Sequence, residues 1–85
     1  MSHGIDYTNL AFQTHELLED FIEFMRDNIH NYGSFSVADV NEYFGEESDL
    51  KDNEYGWFSF SRIKYEFEDE GTGWCSLPAP TKYKG

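Results

Sequence analysis

Apolar residues recur every three or four positions between residues 14 and 32, which is the spacing of one face of an α-helix. Thr14 is a suitable N-cap, Glu16 would lie in the positive first turn, and Gly33 is a typical stop signal. The pattern therefore predicts an amphipathic helix over residues 14–32. Its apolar face would consist of Leu17, Leu18, Phe21, Ile22, Met25 and Ile29.

A second, shorter helix is predicted soon after this glycine. Ser36 and Asp39 are three residues apart and form a variant of the capping box, with Asp in place of Glu. Gly45 would end the helix, and residues 46–56 are polar and rich in turn formers, so a loop is predicted there. The buried stripe of this helix would be Val37, Val40, Tyr43 and Phe44.

The hydrophobic pattern of residues 57–70 fits both a helix and a strand. A helix would place Trp57, Phe60, Ile63 and Phe67 on one face. In a strand, Ile63, Tyr65 and Phe67 would alternate with charged neighbours. The helical face extends across most of the segment, whereas the alternation breaks near residues 61–62, so a third helix is favoured. A turn at residues 71–73 and a short strand at residues 74–77 are predicted to follow.

No helix or strand is predicted at either end of the chain. Residues 1–13 would be a lead-in, in which Ile5, Tyr7, Leu10 and Phe12 can pack onto the body of the protein. Residues 81–85 would be a frayed basic tail, because Pro78 and Pro80 oppose further strand pairing. The 85 residues are thus expected to form a single small domain, mainly α with some β-structure.

The charge of the chain indicates what kind of surface this domain presents. Seventeen Asp or Glu against six Lys or Arg give a formal net charge of -11, and the excess extends from Asp6 to Glu70. Such a surface repels nucleic acid and anionic membranes and attracts basic protein surfaces. Aromatic residues make up 19% of the chain, far too many for an acidic disordered protein. A folded domain with an anionic exterior is therefore predicted.

The residue types that carry catalysis or bind cofactors occur without the required spacing. His15 and His30 would lie about 22 Å apart on one helix, so they cannot share a metal ion. The acidic residues at positions 46–54 do not follow the order of an EF-hand and lack its central glycine. Cys75 has no catalytic His or Asn context and is expected to be a packed thiol. We therefore expect a non-enzymatic protein without a cofactor or metal.

The single cysteine also bears on localisation. It allows no disulfide within the chain, and neither a signal peptide nor an apolar run long enough to span a membrane is visible. A cytoplasmic protein that does not bind membranes is expected.

The predicted order of elements resembles a winged helix-turn-helix domain. In that family the second helix often opens with Phe-Thr-Val-x-Asp-Val after a glycine, and residues 35–40 read Phe-Ser-Val-Ala-Asp-Val. The third helix commonly carries Ser-Arg-hydrophobic-Lys, similar to residues 61–64, Ser-Arg-Ile-Lys. The resemblance covers roughly residues 14–77. It implies three helices followed by a short C-terminal β-hairpin, the wing, beginning near Gly71. It also implies a DNA-binding transcriptional regulator that would use Arg62, Lys64, Lys82 and Lys84.

The predicted third helix is chemically unlike a recognition helix. Such a helix presents Lys, Arg, Asn or Gln to phosphates and base edges, whereas residues 66–70 read Glu-Phe-Glu-Asp-Glu. A homodimer would concentrate the few positive residues, but the surrounding field would remain negative. Because counterion release requires several cationic contacts, no direct binding to duplex DNA is expected.

Five acidic residues lie along one side of the first predicted helix, at positions i, i+3, i+4, i+7 and i+11. They are Glu16, Glu19, Asp20, Glu23 and Asp27. At the helical rise they span about 16 Å, or one charge per about 3–4 Å. One DNA strand carries a phosphate about every 3.4 Å, a comparable spacing. The alternative interpretation is the solvated face that every amphipathic helix has.

Small size, uniform acidity and the lack of a catalytic set resemble small phage-encoded DNA mimics. The resemblance implies an inhibitor that occupies the basic nucleic-acid site of a restriction enzyme, CRISPR effector, polymerase or DNA-packaging protein. The expected partner-binding residues are Glu16, Glu19, Asp20, Glu23, Asp27, Glu46, Glu47, Asp49, Glu66, Glu68, Asp69 and Glu70. The alternatives are the winged-helix regulator and a salt-adapted protein whose acidity serves solubility alone.

Overall fold

The long helix forms where the sequence predicts it. A computed structural model describes residues 6–82 of the chain, and in it α1 covers His15–Tyr32. The N–H of Leu17 donates to Thr14 Oγ1 at 3.1 Å. At the other end, Gly33 adopts a left-handed φ of 84°, and its N–H donates to the carbonyl of Ile29. Both predicted boundary signals are confirmed.

The second helix begins with the predicted capping box. α2 covers Val37–Tyr43. The N–H of Asp39 donates to Ser36 Oγ at 3.0 Å, and the N–H of Ser36 donates back to the Asp39 carboxylate at 2.9 Å. Val40 in its middle is buried as predicted, but Tyr43 is 39% exposed, so the expected buried stripe is wrong at that position.

The predicted third helix does not form. Strands β3, Tyr55–Trp57, and β4, Lys64–Phe67, occupy the region instead. Between them the N–H of Ser61 donates to Ser59 Oγ at 3.1 Å, a local bond that competes with helical hydrogen bonding. The described residues 6–82 hold only two α-helices and six strands, so the expectation of a mainly α, three-helix winged-helix-like domain is wrong.

The strands form two antiparallel sheets. The first has the order β1-β5-β4, where β1 is Leu10–Phe12 and β5 is Gly73–Ser76. The second has the order β2-β3-β6, where β2 is Phe35–Ser36 and β6 is Thr81–Lys82. A 3-10 helix, Leu50–Asn53, lies in the segment expected to be a loop.

Both ends of the described chain are more ordered than expected. The lead-in contributes β1, and the predicted packing of Leu10 and Phe12 is confirmed because both are buried. Thr81 and Lys82 pair with β3, so the tail is not frayed there. The two prolines lie in the connection before β6 rather than in the ladder, where they would remove a hydrogen bond. Ile5, Lys84 and the rest of residues 83–85 lie outside the described residues.

The hairpin between β4 and β5 turns at residues 69–71, before the predicted turn at residues 71–73, and its first strand lies where the third helix of the winged-helix-like fold was expected. The N–H of Glu68 donates to the carbonyl of Thr72 at 2.8 Å, and the N–H of Gly71 donates to the carbonyl of Glu68 at 3.0 Å. Gly71 has a left-handed φ of 97°, as the three-residue hairpin loop requires. Unlike an isolated wing, this hairpin is part of a three-stranded sheet through β1.

The core lies between α1 and the two sheets. Phe21 of α1 is fully buried, and its ring centre is 5.1 Å from that of Phe44, which is partly buried after α2. These two rings therefore join α1 to the end of α2. The buried apolar residues are Leu10, Phe12, Leu18, Phe21, Ile22, Met25, Phe35, Val37, Val40, Trp57, Ile63, Cys75 and Leu77.

Candidate functional site

The five acidic side chains of α1 lie on the outer side of the helix. The buried residues of the helix are Leu18, Phe21, Ile22 and Met25. At 3.6 residues per turn, the five carboxylates are centred on the opposite side. All five are exposed: Glu16, Glu19, Asp20, Glu23 and Asp27. The helix therefore carries a line of negative charge that points away from the core.

Arg26 is the only Lys or Arg in this helix, and it lies at the flank of the acidic line. Its guanidinium carbon is 4.8 Å from the centre of the Phe60 ring, in the segment between β3 and β4. Such a contact attracts the cation to the face of the ring. The positive charge is thus directed towards Phe60, and the acidic line is not interrupted by an internal cation.

The β4–β5 turn brings three more acidic residues to the N-terminal end of α1. Nε2 of His15 lies 2.7 Å from the carbonyl oxygen of Glu68, so the ring donates a hydrogen bond there. The same ring meets Phe67 edge-on, with 5.2 Å between ring centres. The exposed turn residues Glu68, Asp69 and Glu70 are therefore next to the first turn of α1. We call these three and the five carboxylates of α1 the helix–hairpin surface.

Glu66 is exposed but does not belong to this surface. Side chains alternate along a strand, and Phe67 faces α1 through its contact with His15. Glu66 is therefore on the other side of the sheet, on the same face as its register partner Trp74. The structure separates it from the other acidic residues of the hairpin.

The acidic loop after α2 is held by Asn41, which is only 4% exposed. Its Nδ2 donates to Ser48 Oγ at 3.3 Å and to Asp52 Oδ2 at 3.1 Å, and its Oδ1 accepts from the Tyr7 hydroxyl at 3.5 Å. Asp52 also accepts from the N–H of Asp49 at 2.9 Å. The exposed candidates of this loop are Glu46, Glu47 and Asp49. They belong to a different element from the helix–hairpin surface.

Two partly buried tyrosines have raised pKa values, and a nearby carboxylate contributes to each shift. Burial, and secondarily the charge of Asp20, raise the pKa of the Tyr43 hydroxyl. Burial, and secondarily the charge of Asp52, raise the pKa of Tyr7. Tyr43, the last residue of α2, also contacts Phe24 of α1 with 4.6 Å between ring centres, so this end of α2 packs beside the helix that carries the acidic line.

Sequence reasoning missed the roles of His15 and Asn41. His15 is exposed, but its hydrogen-bond partner lies 53 positions away, and no local pattern signals such a bond. Asn41 follows the buried Val40 in a short amphipathic helix. A polar residue at that position is a usable signal, because a buried amide must find hydrogen-bond partners.

Cys75 is a packed thiol, as expected. It is fully buried, and burial raises its pKa to about 12, so it is a neutral thiol at physiological pH. Within residues 6–82, no three His, Cys, Asp or Glu side chains lie together so that they could hold a metal ion. The helices in this part of the chain are too short or too polar to cross a membrane.

Comparison of the chain with protein-family models, with curated protein sequences and with solved structures finds no match.

Proposed function

We propose that this protein is a non-enzymatic interaction protein whose helix–hairpin surface binds the basic site of a nucleic-acid-binding protein. In that role it would act as a DNA mimic and inhibit its partner, for example a restriction enzyme, CRISPR effector or polymerase. The observation that carries the proposal is the line of five exposed carboxylates on α1, directly opposite the buried face.

The spacing of these carboxylates supports mimicry of a phosphate backbone. The line spans about 16 Å, or one charge per about 3–4 Å, against about 3.4 Å per phosphate of one DNA strand. Lys and Arg side chains that bind phosphate oxygens make charge-assisted hydrogen bonds equally well to carboxylates. A basic groove shaped for DNA therefore offers suitable partners for this side of the helix.

The hairpin extends the surface beyond the helix. Since His15 holds the carbonyl of Glu68, the acidic turn is fixed at one end of the line rather than free in solution. A rigid array of charges loses less conformational entropy on binding than a disordered acidic segment does. This rigidity favours a specific partner over general attraction to basic proteins.

The test is charge reversal in the middle of the line, with Glu19→Lys combined with Glu23→Lys. A partner is first captured from host lysate at low salt, and the complex is then challenged with duplex DNA. We expect DNA to compete with the wild-type protein. The double variant should lose about 1–3 kcal/mol of binding free energy for each close cation pair removed.

The free protein should respond in the opposite direction. Relief of repulsion between neighbouring carboxylates should stabilise α1 by roughly a few tenths of a kcal/mol per pair in urea unfolding. Glu42→Lys combined with Glu54→Lys is the matched control, since it makes the same charge change at exposed positions outside the surface. This control should retain most of the affinity.

Two results would overturn the proposal. If the Glu19→Lys, Glu23→Lys double variant binds the partner with the affinity of the wild type, the acidic side of α1 is only a solvated face. Unfolding at low salt, with no partner recovered at any salt, would mean that the acidity serves solubility alone.

A further inference from the structure

We propose that the open edge of β4 pairs with β4 of a second copy of this chain, joining two three-stranded sheets into one of six antiparallel strands. Among residues 6–82, β4 is an edge strand, because the order of its sheet is β1-β5-β4. All four of its residues, Lys64–Phe67, are exposed. This inference does not depend on the proposed function.

The backbone of β4 offers hydrogen-bonding groups at this edge. The bond from the Glu68 N–H to the Thr72 carbonyl marks a hydrogen-bonded pair at the hairpin end. Such pairs alternate with non-hydrogen-bonded pairs along an antiparallel ladder. Glu66, opposite Trp74, therefore bonds to β5, whereas Tyr65 and Phe67 direct their N–H and C=O groups away from it. Groups placed in this way are a template for another strand.

The order of charged side chains along β4 is complementary to itself. Arg62 and Lys64 precede Tyr65, and Glu66 and Glu68 follow it at the same separations. When two copies pair antiparallel about Tyr65, Lys64 lies opposite Glu66 of the second copy. Arg62, in the turn before the strand, and Glu68, directly after it, are then brought to the same end of the pairing. Two-fold symmetry makes each pair occur twice. Opposite charges across neighbouring strands stabilise a sheet, and like charges destabilise it.

The aromatic side of the strand supports the same register. Tyr65 is 36% exposed and Phe67 is 39% exposed, although both lie on the face that packs towards α1. Across the two-fold axis, Tyr65 would meet its own copy and Phe67 would face Ile63. The pairing would therefore cover rings that a single chain leaves in water. Aromatic cross-strand pairs add to the stability of a sheet.

The net charge of -11 opposes self-association. This repulsion acts over longer distances than the direct contacts between charged side chains across β4. At about 0.15 M salt the Debye length is about 8 Å. That is much shorter than the 42 Å long axis of the molecule, so most of the repulsion between copies is screened. The pairs across β4 are in direct contact and are screened less. A weak dimer at moderate salt is the expected state.

The test uses two charge variants, each of which should be unable to form a homodimer through β4. Lys64→Glu places like negative charges across the axis, and Glu66→Lys places like positive charges there. By sedimentation equilibrium, each variant alone should have a dimer dissociation constant at least about tenfold above that of the wild type. An equimolar mixture should form heterodimers again, because every cross-strand pair is then attractive. Both variants remain strongly acidic, so attraction between oppositely charged proteins cannot explain this rescue.

A second measurement reports the strand pairing itself. Amide hydrogen exchange at Tyr65 and Phe67 should slow as the wild-type concentration rises, while Glu66, already bonded to β5, should not change. Glu42→Lys is the matched control for charge, since it lies on α2 away from this edge and should dimerise as the wild type does.

Several results would overturn the proposal. These are a wild-type protein that stays monomeric up to about 1 mM, variants that associate as tightly as the wild type, and a mixture that stays monomeric. A dimer without added protection at Tyr65 and Phe67 would also overturn it, since another surface or another strand would then be the occupant.

Discussion

Phe21 lies at the centre of a group of aromatic rings that joins the two helices. Its ring centre is 5.1–5.8 Å from those of Phe12, Phe24, Tyr43 and Phe44. These partners come from β1, from α1 itself and from the end of α2. One side chain thus connects three elements, and its removal should weaken the packing of all three.

Phe21→Ala is expected to destabilise the protein by about 3–5 kcal/mol, because the substitution removes buried apolar area and leaves a cavity. That loss is close to the whole stability of so small a domain, about 3–5 kcal/mol. Urea or thermal unfolding measures it. The matched control is Leu50→Ala, since Leu50 is 86% exposed and its removal should change stability by less than about 0.5 kcal/mol. A Phe21→Ala protein that unfolds near the wild-type temperature would contradict this assignment of the core.

Because the Cys75 thiol is buried, we expect the folded protein to lose stability at alkaline pH. Burial raises its pKa from the ordinary value of 9.0 to about 12, so the folded state holds the proton more tightly than the unfolded chain. Stability should be complete below about pH 9 and should fall as the pH rises towards 12. Urea unfolding between pH 8 and 10 measures the fall, and a Cys75 variant separates the thiol from Tyr7 and Tyr43, whose raised pKa values act in the same direction. Cys75→Ala should make that fall smaller; an equally steep fall in this variant would exclude the thiol as its source.

At the scale of elements, strand β5 lies unusually close to α1. A Cβ added at Gly73 would lie 2.6 Å from Leu18 Cδ2 and 2.9 Å from the carbonyl oxygen of Glu66. The backbone oxygen cannot move without disturbing the β4–β5 ladder. Glycine is therefore required here for space and not for a left-handed conformation.

Gly73→Ala should accordingly cost about 1–3 kcal/mol, the usual cost of overpacking a core. Ser76→Ala in the same strand is the control, and we expect it to change stability by less than about 0.5 kcal/mol. Urea unfolding compares the two. Equal stabilities would show that α1 and β5 can separate freely, contrary to the packing described above.

At the scale of the whole molecule, the charge distribution decides which partners are available. The twelve candidate carboxylates are all exposed, but the structure divides them among the helix–hairpin surface, the loop after α2 and the far side of the first sheet. The basic residues expected to read DNA are also redistributed. Arg62 lies in a turn and Lys64 in β4, so the recognition helix expected to present these two residues does not form, and Lys82 lies in β6.

We therefore expect no binding to duplex DNA at physiological salt. Too few cations are present to release counterions, and the field around them is negative. A gel shift with a labelled duplex measures this. Sub-micromolar binding that Arg62→Ala abolishes would contradict the prediction and would require a DNA-binding surface on the β3–β4 connection.

Signals that act within a few residues were readable in the sequence. The ends of α1 and the capping box of α2 depend on bonds spanning three or four positions, so Thr14, Gly33, Ser36 and Asp39 were enough to place them. The line of acidic residues on α1 follows from the same periodicity. It needs only the pitch of the helix and the position of its buried face.

Contacts between distant segments decided the rest. The pattern of residues 57–70 fits both a helix and a strand and favours the helix. The structure has a strand there instead, because β4 pairs with β5 and the Ser59–Ser61 bonds replace helical ones. Thr81 and Lys82 form a strand because β3 offers them a ladder. Likewise, the hairpin acids reach α1 through contacts between distant segments, among them the bond from His15 to Glu68 across 53 positions. Helical hydrogen bonds are local, whereas strand pairing and surface assembly need partners that adjacent residues do not specify.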